Sequence, residues 1–452
     1  MSVCAEFLAD APAGGGTARE RLRNPARIKK CNPLLLPAPC SPFGLRLRLR
    51  PLLPPPPPYS APMTSAPAPV RPTAAVYHHA SGRVFNFSAG PAALPEEVLR
   101  EVQRDVWDLA GSGVGILEHS HRGPVFDALL AETVADGRAV GGVPASHEFL
   151  FIPGGATLQF GMIPMNFLPE GTVADYLDTG VWAHKSIHEA RIVAGLFRAE
   201  INVAFDGRPV RYDHVPVESE IRRSAKAAYL HYCSNNTVFA TQFAAPPQPK
   251  EHASTPLIPL ICDASSDIFA RPFDFARHAL TYASGQKQIG PSGMVLVVID
   301  RAFMESGRPG LPSLLDYRTY AAGESRPNTP NTFGIYLMGR MFKWIIRQGG
   351  VEALASRNRE KAAILYNAVD QSGGYYRGLA KVESRSLMNV SFRLATPAQD
   401  DRFAEEATKA GLDGLKGHRD AGGLRASIYN AMPREGCVAL AEFMNDFARR
   451  NG

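Results

Sequence analysis

The fold is decided by residues 257–266, LIPLICDASS, in which an apolar run ends at the carboxylate of Asp263. Twenty-four residues after Asp263, the stretch 281–293, TYASGQKQIGPSG, places Lys287 among glycines and small side chains. Ligands of open α/β sheets bind at the carboxyl ends of strands, and glycines let the backbone approach a bound group closely. The two stretches therefore predict a ligand site that combines a carboxylate at a strand end with an amine.

Short apolar runs alternate with helical patterns on both sides of these stretches. The predicted strands are residues 149–152, 172–176, 227–232, 257–262 and 294–299. Strands separated by helices predict a largely parallel sheet that helices cover on both faces. A helix is predicted from Pro95, and its apolar stripe is Val98, Leu99, Val102, Val106 and Leu109. After about residue 340 the pattern restarts as a smaller α+β unit, which closes with a helix begun by Pro433.

The length and composition predict a globular protein of two domains with appendages. The chain has 452 residues, of which 45% are apolar and 20% charged. The net charge of +6 belongs to residues 1–82, which carry +7 by themselves, so the remainder is near neutral and gives no nucleic-acid footprint. No apolar run is long enough to span a membrane. The six cysteines have no metal-ligand or disulfide-framework spacing, which favours a reducing compartment and predicts no metal site.

Residues 1–82 form an extension rich in proline and arginine. They hold 16 of the 38 prolines, a composition that predicts disorder. The low acid content and the LRLRLR run at 45–50 favour an organelle transit peptide, whereas the sparse serines and the early acids Glu6 and Asp10 argue against one. The alternative is a non-functional extension upstream of a later start such as Met63. Both interpretations stay open.

The amine and the carboxylate suit pyridoxal 5'-phosphate (PLP). The amine of Lys287 can form a Schiff base, and a carboxylate such as Asp263 can keep the pyridine nitrogen protonated as an electron sink. Residues 151–159, FIPGGATLQ, predict a strand, a glycine-rich turn and a helix start that presents backbone N–H groups to a phosphate. Trp182, which follows an apolar strand, offers a flat face for stacking on a ring.

Several motifs resemble those of phosphoserine aminotransferases in order and spacing. They are FNFSAGPAALP at 85–95, SHRG at 120–123, GGAT at 154–157, QK at 286–287, NTP at 328–330, LKGHR at 415–419 and GLRASIYNAMP at 423–433. The similarity runs from about Val84 to the C-terminus. RASIYNAMP and LKGHR are not shared by aminotransferases in general, so the resemblance is specific.

The resemblance implies roles for individual residues toward the cofactor. Lys287 would carry the Schiff base, Asp263 would pair with the pyridine nitrogen, Trp182 would stack on the ring and Thr237 would bond its phenolic oxygen. The phosphate would be held by Ala156, Thr157 and Gln286, and from the neighbouring subunit by Asn328 and Thr329. Some relatives carry Gly-Arg at the positions of Ala156 and Thr157. This chain therefore has one cation fewer at the phosphate site. A homodimer with shared active sites follows from the resemblance.

The resemblance also implies the substrate contacts. Arg425 would bind the α-carboxylate, while Arg122, His418 and Arg419, with His121 nearby, would hold the distal phosphate or γ-carboxylate. Guanidinium groups suit this task because they bind carboxylate and phosphate through paired hydrogen bonds. The expected reaction is transamination between glutamate and 3-phosphooxypyruvate in serine biosynthesis. Some members of the family also act on a phosphorylated four-carbon acid in vitamin B6 synthesis.

The expected architecture is a fold-type-I PLP-dependent transferase of the α/β class. Residues 83–340 would form a large PLP-binding domain around a mixed, mainly parallel seven-stranded sheet, and residues 341–452 a small C-terminal α+β domain. The residues 244–256 predict a surface insertion. The expected location is the cytoplasm, with an organelle as the alternative if residues 1–82 are a targeting segment.

Three alternatives are kept beside this function. One is another aminotransferase of the same fold, such as a serine–glyoxylate or phosphonate type, although the His418–Arg419 pair favours a phosphorylated substrate. A second is a cysteine desulfurase, which needs a reactive cysteine on a mobile glycine-rich loop that the sequence does not offer. The third is a catalytically silent protein that keeps the motifs only for packing.

Overall fold

The computed structural model describes residues 77–247 and 257–452. Strands β1–β14 are, in chain order, Phe85–Asn86, His147–Pro153, Val173–Asp178, Glu200–Asp206, Ala227–Cys233, Asn235–Asn236, Thr241–Gln242, Leu260–Asp263, Leu280–Ser284, Met294–Asp300, Arg377–Gly378, Asn389–Arg393, Leu412–Asp413 and Leu424–Ser427. Helices α1–α11 are Glu96–Trp107, Pro124–Gly141, Gly155–Phe167, Val181–Phe197, Gly285–Gln288, Arg301–Glu305, Tyr317–Ala322, Thr332–Arg347, Gly350–Asp370, Pro397–Lys409 and Arg434–Asn451.

A seven-stranded sheet runs through the middle of the fold in the order β2-β10-β9-β8-β5-β3-β4. Strand β10 is antiparallel to its neighbours β2 and β9, and the remaining pairs are parallel. The expected mixed, mainly parallel sheet is therefore confirmed. Asp178, Cys233, Asp263 and Ser284 end the parallel strands β3, β5, β8 and β9, so these four residues lie along one edge of the sheet.

The sheet is buried on both faces. Along β10 the side chains alternate between two apolar clusters: Val295 and Val297 pack with α3 and α4, while Leu296 and Val298 pack with α2 and α8. A strand buried on both sides needs an uninterrupted apolar run rather than a polar–apolar alternation. The run MVLVVI of β10 provides one, and only the last residue of the strand, Asp300, is polar.

A separate apolar cluster lies in the C-terminal part of the chain and includes two residues from near the N-terminal end of the described region. Phe85 and Phe87 pack there with residues of α9, α10, α11, β12 and β14, and β1 pairs in parallel with β13. Helix α9 joins the clusters, because its first turns pack against the sheet and its later turns pack in this second cluster. The predicted domain boundary at 340/341 falls inside α8, and the division into two domains stays a prediction.

Some predicted element bounds differ from those observed. The strand predicted from Leu257 begins only at Leu260, because Pro259 has no N–H to donate to the sheet. The stripe predicted for α1 is wrong at its end: Val106 is exposed, and Leu109 lies beyond the helix. Most of the predicted insertion at 244–256 and nearly all of the extension at 1–82 lie outside the described residues.

Three further features of the described residues concern membrane spans, metal binding and the state of the cysteines. None of its helices is long and apolar enough to cross a membrane. Its His, Cys, Asp and Glu side chains form no group of three or more that could hold a metal ion. Its cysteines Cys233, Cys262 and Cys437 are free and buried.

Candidate active site

Lys287 lies at the edge of the sheet where β9 ends. It is on the four-residue helix α5, not in an open loop, and its Nζ donates a hydrogen bond of 2.8 Å to Thr237 Oγ1. The turn around it admits no side chains at its glycines: a Cβ on Gly285 would lie 2.6 Å from Pro291 O, and one on Gly290 would lie 2.8 Å from Met338 Cγ. The glycines that flank Lys287 in the sequence thus allow a tight turn that holds its amine in place.

Asp263 ends β8, the strand next to β9, and its side chain is buried. The backbone N–H of Ser265 donates to Asp263 Oδ1 at 2.9 Å. Burial raises the pKa of the Asp263 carboxyl, and the nearby ammonium of Lys287 offsets that rise only in part. Among the residues that the structure describes, the ionised carboxylate therefore lacks full compensation, and a protonated ring nitrogen would supply the missing charge.

The glycine-rich turn precedes α3. Gly154 and Gly155 have φ of +97° and +70°, a backbone conformation that side chains disfavour, and Gly154 N–H donates to Gly293 O at 3.0 Å. A Cβ on Gly155 would lie 3.2 Å from Ser284 Oγ. No side chain of the described ranges caps the first turn of α3, so its N–H groups can bind an anion.

Trp182 lies in the first turn of α4, directly after β3. The chain enters this helix through Gly180, where a Cβ would lie only 1.4 Å from Asn236 Nδ2. The Trp182 ring lies beneath the amine of Lys287, with Nζ 5.5 Å from the ring centroid. The indole N–H of Trp182 is buried without a hydrogen-bond partner in the described part of the chain. On the same helix His184 Nδ1 lies 2.8 Å from the buried Asp178 Oδ2.

One cavity of about 170 Å³ is lined by Lys287, Asp263, Trp182 and the glycine-rich turn. Its lining consists of Gly154, Gly155, Ala156, Thr157, Phe160, Trp182, Asp263, Ser265, Ser284, Gln286, Lys287, Ser292 and Gly293. A flat indole face, a buried carboxyl, an amine and the start of a helix are the features that a phosphorylated pyridine aldehyde requires. The residues present thus fit PLP.

A group of cationic side chains lies in and before β14. Arg425 is half-buried, and among the described residues its buried Nε has no hydrogen-bond partner and no acid forms an ion pair with it. Burial lowers the pKa of His418, and the nearby Arg425, Arg419 and Lys185 lower it further, against the opposing effect of Asp420. Arg419 is exposed, and its Nε lies 3.6 Å from Asp420 Oδ1. This group has the charge that carboxylate and phosphate ligands require.

Two loops that carry other predicted site residues do not line the cavity. Arg326 joins them, since its guanidinium donates to His121 O at 3.0 Å. Arg122, Asn328 and Thr329 are exposed in this single chain. The structure therefore brings together Lys287 and the residues predicted to hold the cofactor on the same subunit. It leaves apart Asn328 and Thr329, which are predicted to act from the neighbouring subunit, and also His121 and Arg122, which are predicted to bind the substrate.

Several residues at the site were missed by the sequence analysis. Ser265 and Ser284 line the cavity and are hydrogen-bonded to each other, with Ser284 N–H donating to Ser265 Oγ at 3.0 Å. Their positions two residues after Asp263 and directly before Gly285 could have indicated them. Lys185 was also missed, and one turn of helix after Trp182 was the available signal.

A larger cavity of about 590 Å³ lies elsewhere, beneath α1 and the start of α11. Its lining includes the buried Lys361, whose Nζ donates to the carbonyl oxygens of Ile428, Tyr429 and Met432 at 2.8–3.0 Å. Burial lowers the pKa of Lys361 to about 8. Because all three donors of the ammonium are taken by carbonyl groups, Lys361 is tied to the backbone, and the smaller cavity is the candidate active site.

The comparisons with known proteins agree with this geometry. The family model for class-V aminotransferases matches residues 84–440. Phosphoserine aminotransferases from Laribacter hongkongensis and Niallia circulans are each 45% identical over 82% of this chain, and over 99% and 100% of their own lengths.

Solved structures are similar over the same part of the chain. The phosphoserine aminotransferase from Bacillus circulans subsp. alkalophilus superimposes with a TM-score of 0.78 at 45% identity, over 82% of this chain and 99% of that one. The PLP-bound phosphoserine aminotransferase from Trichomonas vaginalis has a TM-score of 0.76 at 36% identity, over 80% of this chain and 100% of that one. The expected fold-type-I architecture is confirmed. The chain belongs to the phosphoserine aminotransferase family of the class-V aminotransferases.

Proposed function

We propose that the chain catalyses PLP-dependent transamination between L-glutamate and 3-phosphooxypyruvate, with O-phospho-L-serine and 2-oxoglutarate as products. The observation that carries the proposal is the single cavity in which the Lys287 amine, the buried Asp263 carboxyl and the uncapped first turn of α3 meet. The activity of the relatives at 45% identity supports the same substrates.

The chain's own residues would divide the work of the reaction. When bound, PLP supplies an electron sink for the charge that develops at the substrate Cα. Asp263 would keep its ring nitrogen protonated, Trp182 would cover one face of the ring, and Thr237 would bond the phenolic oxygen. Ala156, Thr157 and Gln286 would hold the phosphate at the start of α3.

Lys287 would be both the attachment point and the proton carrier. Its Nζ would take the proton from Cα of glutamate, and in the second half-reaction it would return one to Cα of the new amino acid. Arg425 would bind the α-carboxylate of each substrate, which supplies the acid that its half-buried guanidinium lacks among the described residues. His418 and Arg419, with His121 and Arg122, would hold the distal phosphate or γ-carboxylate.

The function is tested with purified protein reconstituted with PLP. Phosphoserine should donate its amino group to 2-oxoglutarate, and Lys287→Ala should abolish turnover and the visible absorbance of the bound cofactor. Lys409→Ala, at an exposed position on α10, is the matched control and should change neither. Retention of both properties by Lys287→Ala would refute the assignment of Lys287.

The same assay separates the alternatives. Serine with glyoxylate tests the serine–glyoxylate type, and 4-phosphohydroxythreonine as amino donor tests the reaction on the four-carbon substrate. If the protein binds PLP but none of the amino donors removes the visible absorbance of the bound cofactor, the protein is catalytically silent.

We also propose a homodimer with shared active sites, in which His121, Arg122, Asn328 and Thr329 reach the partner's cavity. The stretch that leads to Arg122 exposes large apolar side chains in the single chain: Trp107 is 86% exposed and Leu117 is 59% exposed. Apolar side chains exposed to this extent are typical of an interface between subunits.

Mixing two inactive variants tests the shared sites. Lys287→Ala and Arg122→Ala should each be inactive, but their heterodimer would contain one site with both residues intact. A random one-to-one mixture after subunit exchange should therefore recover about a quarter of the wild-type activity. No recovery, from a dimer whose exchange is demonstrated, would show that each chain completes its own site.

For the cellular location we propose the cytoplasm, with an organelle as the alternative. The free, buried cysteines of the described residues fit a reducing compartment. N-terminal sequencing of the mature protein distinguishes the alternatives, because a start near Met63 excludes a transit peptide.

A further inference from the structure

Lys185 lies beside the candidate active site without an assigned role. It is exposed on α4, three residues after Trp182, and its Nζ lies 4.6 Å from the centroid of the Trp182 ring. Lys287 Nζ lies 5.5 Å from the same centroid. A cation near an indole ring is attracted by the ring's quadrupole, so this contact positions the Lys185 ammonium beside a ring that lines the candidate active site.

The charge of this ammonium also acts on the cationic group of the C-terminal part. Lys185 is near enough to His418 to disfavour the charged form of its imidazole, as Arg419 and Arg425 also do. Helix α4 packs on the sheet, whereas His418 precedes β14, so these cations approach the site from two different parts of the fold. Within the described residues Lys185 forms no ion pair with an acid, and Asp420 is the acid that counters His418.

The two substrates differ most at their distal ends. The γ-carboxylate of glutamate carries one negative charge on two oxygens, while the phosphate of phosphoserine carries close to two on three oxygens. The attraction of a cation grows with the charge of the anion. One more cation beside His418 and Arg419 would therefore favour the phosphorylated substrate over glutamate.

We infer that Lys185 binds the distal phosphate of the phosphorylated substrate and makes the site select it over the carboxylate substrate. This inference rests on the proposed function and deepens it. Lys185 would act as a substrate-binding residue that adds one ammonium to the cationic side chains at the distal phosphate.

Steady-state kinetics of the PLP-loaded enzyme test the inference. Lys185→Gln should raise the KM for phosphoserine roughly tenfold, the effect of losing one charge-assisted hydrogen bond. The KM for glutamate in the reverse direction should change less than about twofold. Lys185→Arg should restore most of the phosphoserine KM, and Lys409→Gln on α10 is a matched loss of one exposed lysine that should leave both KM values unchanged.

The outcomes separate this inference from the proposed function. If the wild-type enzyme does not use phosphoserine, the proposed function fails. If it does, and Lys185→Gln changes both KM values equally or neither, the inference fails alone. A fall in kcat or in PLP affinity without a difference between the substrates would mean that Lys185 only supports Trp182, which also overturns the inference.

Discussion

At the scale of the residue, Asp263 lowers the stability of the cofactor-free protein but favours the binding of PLP. Its carboxyl is buried, and burial raises its pKa despite the nearby Lys287. A group whose pKa is higher in the folded than in the unfolded state stabilises the fold below its unfolded pKa of about 4. That stabilisation is lost as the pH rises through the folded-state pKa. The ionised Asp263 therefore destabilises the cofactor-free protein at neutral pH.

Asp263→Asn should raise the stability of the cofactor-free protein and weaken the binding of PLP. Without PLP the variant should match or exceed the wild type in free energy of unfolding at pH 8, and its advantage should shrink as the pH is lowered toward 5. Its affinity for PLP should fall on the order of 10–100-fold because the charged partner of the ring nitrogen is lost. Denaturant unfolding of the cofactor-free proteins and PLP titration give the two quantities. A wild type more stable than the variant at pH 8 would mean that Lys287 outweighs burial.

The sequence predicted individual residues of the site unequally. Asp263 and Lys287 could be paired because one ends an apolar run and the other is surrounded by glycines, and the structure places them in one cavity. The hydrogen bond between Lys287 and Thr237 joins residues 50 positions apart and has no local signal. Lys185 looked like any exposed helical lysine, since neither its distance to Trp182 nor its effect on the pKa of His418 can be inferred from the sequence.

At the scale of the element, the site is built from junctions between strand ends and helix starts. Helix α3 begins at Gly155, and α4 begins directly after Gly180. The apolar runs and the glycines indicated these junctions in the sequence, because buried strands and tight turns leave local composition signals. The order of the strands and the antiparallel direction of β10 had no such signal, since they depend on pairing between distant segments.

Gly180→Ala tests the junction before Trp182. The new methyl group would collide with Asn236 Nδ2, and φ of +156° disfavours any side chain. We expect the free energy of unfolding to fall by about 2–4 kcal/mol and PLP to bind more weakly as Trp182 shifts. Gly195→Ala on the same helix is the matched control, because nothing lies within 4 Å of its added Cβ.

Thermal or denaturant unfolding of the two variants provides the comparison. The control should be neutral or gain up to about 1 kcal/mol from the better helix former. An equal effect of both substitutions would show that the helix as a whole, and not the junction at Gly180, limits stability.

At the scale of the whole molecule, the segment that contains β1 and runs past Gly90, here called the N-terminal arm, packs in the apolar cluster of the C-terminal part of the chain. Phe87 is fully buried there, and its carbonyl oxygen accepts a hydrogen bond of 3.1 Å from Ser427 N–H, two residues after Arg425. The arm continues past Gly90, whose neighbourhood includes the side chains of Gln286 and Lys287. One short segment thus contacts both the substrate side and the cofactor side of the site.

Phe87→Ala should destabilise this arrangement strongly. Loss of a buried phenylalanine costs about 3–5 kcal/mol, and the loosened arm should raise the KM of both substrates by displacing Arg425. Val84→Ala, at a side chain that is 37% exposed, is the control in the same arm and should have little effect. Unfolding curves and KM values measure the two effects, and unchanged KM values in a destabilised variant would separate the arm from the site.

The parallel pairing of β1 with β13 also sets an order of events during synthesis. Phe85 pairs with Leu412, more than 300 residues later in the chain. While the ribosome is still translating the intervening segment, the arm has no partner, and its aromatic side chains stay exposed to solvent and to chaperones. The C-terminal apolar cluster can close only when β13 and α11 have left the exit tunnel, so the packing of Phe85 and Phe87 comes late in the folding of this part of the chain.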